Sequence, residues 1–107
     1  MTVIEGQSVE LPCRMLGITT KPIVAEWKYK KSGEQSALRV SSRRQVMWRF
    51  RHRFAVRPWN YSVDGGEWDF SLRIRPVIRN DEGIYICVIS DLQSAELLQH
   101  VHLYVTG

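Results

Sequence analysis

Seven arginines, Arg39, Arg43, Arg44, Arg49, Arg51, Arg53 and Arg57, stand between Gln35 and Val63 with no Asp or Glu among them. A guanidinium is a planar fork that grips a sulfate or carboxylate through two parallel hydrogen bonds. The run therefore reads as a site for an anionic partner: a sulfated glycan, an acidic protein or a phospholipid surface. Arg43, Arg44, Arg49 and Arg51 are the expected contacts. The competing reading is a solvated edge whose charge discourages strand pairing. The other residues carry eight Lys and Arg against eleven Asp and Glu, so the net charge of +4 is local to this run. No nucleic-acid module motif accompanies it, and nucleic acid is not an expected partner.

Other residues with chemical potential are sparse. His100 and His102 share one face of a strand, but two histidines without a third ligand make a weak metal signal, and no metal is expected. Asn60-Tyr61-Ser62 is an N-glycosylation acceptor in a loop. There is no glycine-rich phosphate loop, no Ser in a nucleophile elbow and no His paired with an acid at a recognisable spacing. An enzyme is not expected, and no cofactor is implied.

The elements that would position these residues are strands. The chain has 107 residues, 44% of them apolar, which suits one domain, 1–107, with a real core. No apolar run approaches the ~20 residues of a membrane helix. After Met1 the chain enters a strand directly. A membrane is therefore expected only through flanking segments, as in a domain trimmed from a longer protein.

Strand candidates are Thr2–Ile4, Ser8–Cys13, Val24–Lys31, Ala37–Ser41, Phe70–Ile74, Gly83–Ser90 and Gln99–Val105. Val46 to Val56 alternates cleanly, with Val46, Trp48, Phe50, His52, Phe54 and Val56 on one side. Its second half reads as a strand with Phe54 and Val56 inward. Its first half reads as a further strand or a connecting edge. Asp64-Gly65 signals a hairpin.

Asp81-Glu82-Gly83-Ile84-Tyr85-Ile86-Cys87 fixes the reading. A Tyr two residues before a Cys, entered from a D-x-G corner, resembles strand F of the immunoglobulin superfamily, V-type. Cys13, Trp27 and Val77 stand where that family needs partners, and the resemblance covers essentially the whole chain. It implies an all-β fold: a two-sheet antiparallel sandwich with an inter-sheet Cys13–Cys87 disulfide. It also implies Trp27 packed on that bridge, a Tyr85 hydroxyl bonded to the corner, and an Arg53–Asp81 ion pair. A disulfide implies an oxidising, extracellular setting, either a cell-surface ectodomain or a secreted protein. About 60 residues between Trp27 and Cys87 leave room for strands C′, C″ and D.

The Phe/Trp-Gly-x-Gly bulge of antigen-receptor variable domains is absent. Glu26-Trp27-Lys28-Tyr29, Arg57-Pro58-Trp59-Asn60 and the closing His102-Leu103-Tyr104-Val105 look like adhesion-type V domains. Val9 to Cys13 and Val105 to Gly107 are also similar to V domains of secreted chitin-binding immune proteins. The family commonly binds through the outer face of strands G, F, C and C′. Here that face carries Lys28, Ile86, Val88, His100, His102 and Tyr104. The resemblance thus implies a non-catalytic recognition domain of an adhesion or immune-type receptor. Its partner would be a protein, either a counter-receptor or a second copy in a homodimer. The alternative is an innate-immune module that binds an anionic glycan or microbial surface through the arginine-rich C″–D edge.

Overall fold

The structure, a computed structural model, describes residues 1–15, 24–57, 68–90 and 96–107; of Met15, Trp68, Glu96 and Leu97 it describes the backbone. The expected glycosylation site Asn60 and the Asp64-Gly65 turn lie outside the described residues.

Among the described residues eleven strands follow in order: β1 Thr2–Ile4, β2 Val9–Leu11, β3 Arg14–Met15, β4 Val24–Lys30, β5 Leu38–Ser42, β6 Gln45–Val46, β7 Phe54–Val56, β8 Trp68–Asp69, β9 Leu72–Ile74, β10 Gly83–Ser90 and β11 Glu96–Thr106. One sheet runs β1-β11-β10-β4-β5-β6, and the other runs β2-β9-β7. The short β3–β8 pair continues β2 and β9 beyond Cys13, where the Phe70 N–H donates to the Cys13 carbonyl at 2.8 Å. In family letters, β4, β5 and β6 are C, C′ and C″, β7 is D, β9 is E, β10 is F and β11 is G. The first strand joins the G edge in parallel, with Val3 opposite Val105.

Period-two alternation places the core. Along β10, Tyr85, Cys87 and Ile89 are buried, while Ile84, Ile86 and Val88 are half-buried on the other face. Inward residues from both sheets (Leu11, Trp27, Leu72, Ile74 and Leu103) meet between them. Such burial contributes about 25 cal/mol per Å² of apolar surface removed from water, the main favourable contribution to folding. Cys13 and Cys87 are bonded across the sheets with Cα atoms 6.4 Å apart. Trp27, opposite Cys87 in register, donates its indole N–H to the Phe70 carbonyl at 2.7 Å. The polar tip of a buried ring is thereby satisfied.

One element differs from the alternating strand read over Val46–Val56. After β6 the chain turns through a 3₁₀ helix, Trp48–Phe50, and resumes as β7 at Phe54. Trp48 is consequently 75% exposed, whereas Phe50 folds back edge-on to Phe54 with ring centroids 5.2 Å apart. A second 3₁₀ turn, Arg79–Asp81, forms the corner before β10.

Candidate recognition surfaces

The outer face of β11, β10, β4 and β5 is set by register. His102, Ile84 and Lys30 form one row; His100, Ile86, Lys28 and Arg39 form the next; Leu98, Val88, Glu26 and Ser42 form the third. Three β-branched residues of β10 thus run down the middle, and charges lie to the C and C′ side. Glu26 is held by Arg39 at 3.2 Å and by Lys28 at 3.9 Å. Leu98, at 56% exposure, extends the apolar centre toward the top of G. At the G edge the His102 and Tyr104 rings stack with centroids 4.2 Å apart, and the Tyr104 hydroxyl and His102 Nδ1 are hydrogen-bonded at 3.1 Å. Of the six residues expected on this face, Lys28, Ile86, Val88, His100 and His102 fall in adjacent rows, and Tyr104 stacks on His102 beside them. Among the described residues, no group of three or more His, Cys, Asp or Glu is placed to hold a metal.

The corner below this face is tightly bonded. The Tyr85 hydroxyl donates to the Asp81 carbonyl at 2.7 Å. Burial, and then the nearby Asp81 charge, push the Tyr85 phenol far above its ordinary range. Arg53 grips the Asp81 carboxylate through two bonds, 2.6 and 2.9 Å, and also donates to the Pro76 carbonyl.

The arginine run divides into two groups. Arg39 bonds Glu26, Arg53 bonds Asp81, and Arg57 bonds Glu10 at 3.2 Å. Arg44 turns inward, lies over the Phe70 ring and donates to the carbonyls of Arg57 and Asp69. Its burial lowers the guanidinium pKa, while the Asp69 charge raises it. Arg43, in a left-handed turn conformation, and Arg49 are exposed to solvent. Arg51 lays its guanidinium over the exposed Trp48 ring, 3.5 Å from the centroid. Of the four arginines expected to bind an anion, Arg44 is thus committed within the domain, while Arg43, Arg49 and Arg51 are exposed.

The sandwich, its inter-sheet bridge and the tyrosine-bonded corner agree with a direct sequence comparison: residues 1–106 match the model of the immunoglobulin V-set domain. The chain belongs to the immunoglobulin V-set family. Similar solved structures include murine CRIg, with a TM-score of 0.71 and 16% identity over 100% of this chain and 92% of that one. Another comes from photo-crosslinking work on the multimeric cell-adhesive interactions of VGSC beta subunits, with a TM-score of 0.73 and 14% identity over 99% and 89%. At such identities the likeness is one of fold.

Within this V-set domain, two features escaped the sequence reading. Leu98 was not counted in the outer face because strand G begins at Glu96 rather than Gln99. Arg73 on β9 and Arg75 just past its end line the outer face of the second sheet, opposite Ala55 and Arg53. Their signal was present in the sequence, because both alternate with the inward Leu72 and Ile74.

Proposed function

We propose that this V-set domain is a non-catalytic extracellular recognition module of adhesion or immune-receptor type, which binds a protein through its GFCC′ face. One observation carries the reading: Ile84, Ile86 and Val88 stand as a half-buried apolar stripe on an outward sheet face, extended by exposed Leu98 and rimmed by Glu26, Lys28 and Arg39. An apolar centre with a polar rim is the anatomy of a protein interface. The Cys13–Cys87 bridge supports an oxidising, extracellular setting.

Ile86→Arg tests the face. A charge buried at the centre of an interface without a partner costs about 2 kcal/mol or more, some thirtyfold in affinity. Sedimentation velocity reads self-association, and tetramers of the domain on intact cells, with and without trypsin treatment, read a protein counter-receptor. The variant should lose whichever association the parent shows while keeping its melting temperature. Unchanged association by a folded Ile86→Arg domain would refute the face.

A further inference from the structure

A hollow of about 300 Å³ opens on the opposite side of the sandwich, on the outer face of β7 and β9. Its lining includes Arg51, His52, Arg53, Ala55, Arg73 and Arg75. The register explains the shape. Ala55 stands opposite Arg73, and the Arg75 N–H donates to the Arg53 carbonyl at 2.8 Å. Ala55, the smallest side chain in this lining, leaves a depression between longer ones. Successive outward residues on a strand lie roughly 7 Å apart, so Arg73 on β9 and Arg75 just past its end are near neighbours.

The lining itself contributes four guanidinium groups, one imidazole and no carboxylate. Among the described residues, Asp81 is held by Arg53, and Glu10, opposite Arg73 in register, bonds Arg57. Arg53 lends its stem to the wall while its fork stays on Asp81. Arg75 is exposed, and Arg51 is exposed with one face of its guanidinium on Trp48. These two forks are the ones available to an incoming ligand.

We infer that this hollow is an anion-binding site for a sulfated polysaccharide chain, with Arg51 and Arg75 as its principal contacts. The chemistry is that of fixed guanidinium forks for oxyanions. The concave shape suits a chain group entering between arginines better than a flat bilayer. Trp48, exposed nearby, has one face of its ring stacked on the Arg51 guanidinium. The lining sets apolar surface from Phe54, Ala55 and Pro76 among the cations, which suits a sugar ring whose sulfate groups reach the forks, and an acidic peptide is the competing occupant in the test below. The site lies on the opposite sheet from the GFCC′ face and does not depend on the reading of that face.

The test is binding of the intact, oxidised domain to immobilised heparin by surface plasmon resonance, at low and at moderate salt. The double variant R51A/R75A is compared with K30A/K31A, which removes the same charge from residues outside the hollow. The parent should bind, with affinity falling as salt rises. R51A/R75A should bind about ten- to a hundredfold weaker, because each charge-assisted contact is worth roughly tenfold. K30A/K31A should change affinity by less than about threefold. Equal losses in the two variants would show that binding follows net charge, and would overturn the site. A parent that ignores heparin but binds poly-glutamate or phosphatidylserine vesicles would overturn the polysaccharide assignment. Failure to bind any of the three would overturn both. Ile86→Arg should leave heparin binding unchanged, so a failed GFCC′ reading is told apart from a failed hollow.

Discussion

Arg53 lies on the border between architecture and recognition, and Arg53→Ala separates the two. Its guanidinium makes two bonds to Asp81 and one to the Pro76 carbonyl, with 28% of the Arg53 side chain and 6% of the Asp81 side chain exposed. Removing the arginine leaves a nearly buried carboxylate with the Ile78 N–H, at 2.8 Å, as its remaining bonded neighbour outside Arg53. Breaking a fully buried pair costs about 3–5 kcal/mol. Water that reaches the partly exposed guanidinium side reduces this, so the expected loss is about 2–3 kcal/mol. Arg53→Lys keeps the charge but not the fork and should lose about 1–2 kcal/mol. Urea unfolding followed by tryptophan fluorescence, with the disulfide intact, reads these values as midpoint shifts. A cycle with Asp81→Asn isolates the pair. At a slope of about 1–3 kcal/mol per M, the Arg53→Ala midpoint should fall by about 0.7–3 M. A loss within about 0.5 kcal/mol of the parent would place Arg53 outside the stability of the fold. Folded Arg53→Ala should still bind heparin, because its fork is not offered to the ligand.

Two further substitutions probe the frame beneath the surfaces. Burial works to raise the pKa of Asp69, but hydrogen bonds from the Ser71 hydroxyl and N–H and from Arg14 outweigh it and hold the carboxyl below its ordinary range. A depressed carboxylate pKa adds stability that is present above the unfolded value near ~4 and lost as pH falls through the folded value. Melting curves from about pH 2 to pH 7 should therefore converge for the parent and Asp69→Asn at the acid end and separate above ~4; parallel curves would show that Asp69 is not coupled to folding. At Gly83, with φ +153°, an added Cβ would lie 2.7 Å from the Lys30 carbonyl oxygen and 2.7 Å from Tyr29 Cε1. Gly83→Ala should cost about 3 kcal/mol in the same urea assay, and an unchanged midpoint would contradict the close approach of β10 and β4.

What was legible in the sequence is what is tied down by short, fixed spacings. Tyr85 and Cys87 on one face, Asp81 four residues before Tyr85, and Trp27 opposite Cys87 are each required by a covalent bond or hydrogen bond of fixed length. The stretch from Val46 to Val56 was less legible, because alternation of apolar and polar residues does not exclude a tight turn. The turn there carries no Gly, Pro, Asn or Asp, and is closed by backbone bonds from the Met47 N–H to Val40 and from the Phe50 N–H to Met47. Nor could parity reveal that Arg44 would fold inward, since its acceptors are carbonyls 13 and 25 residues away along the chain. The hollow was hidden for a similar reason: its floor, Ala55, becomes informative only once the E strand is aligned beside it.

The arginine run itself shows why a count of charges misjudges a binding surface. Arg39, Arg44, Arg53 and Arg57 each bond a carboxylate or carbonyl within the domain. Each of these guanidinium groups neutralises or satisfies a group that would otherwise be costly to bury or to hold at an edge. What remains for solvent on this segment is Arg43, Arg49 and the outer side of Arg51, and only Arg51 of these borders the hollow. The hollow is completed by Arg73 and Arg75, which stand in a part of the sequence that is not conspicuously basic. Recognition of an anion here thus depends on the pairing of strands D and E, which brings arginines about 20 residues apart to one depression, rather than on the run of arginines in the chain. The GFCC′ face has the same logic with a different chemistry: Leu98, Ile86 and Val88 become one patch because β10 and β11 pair in register.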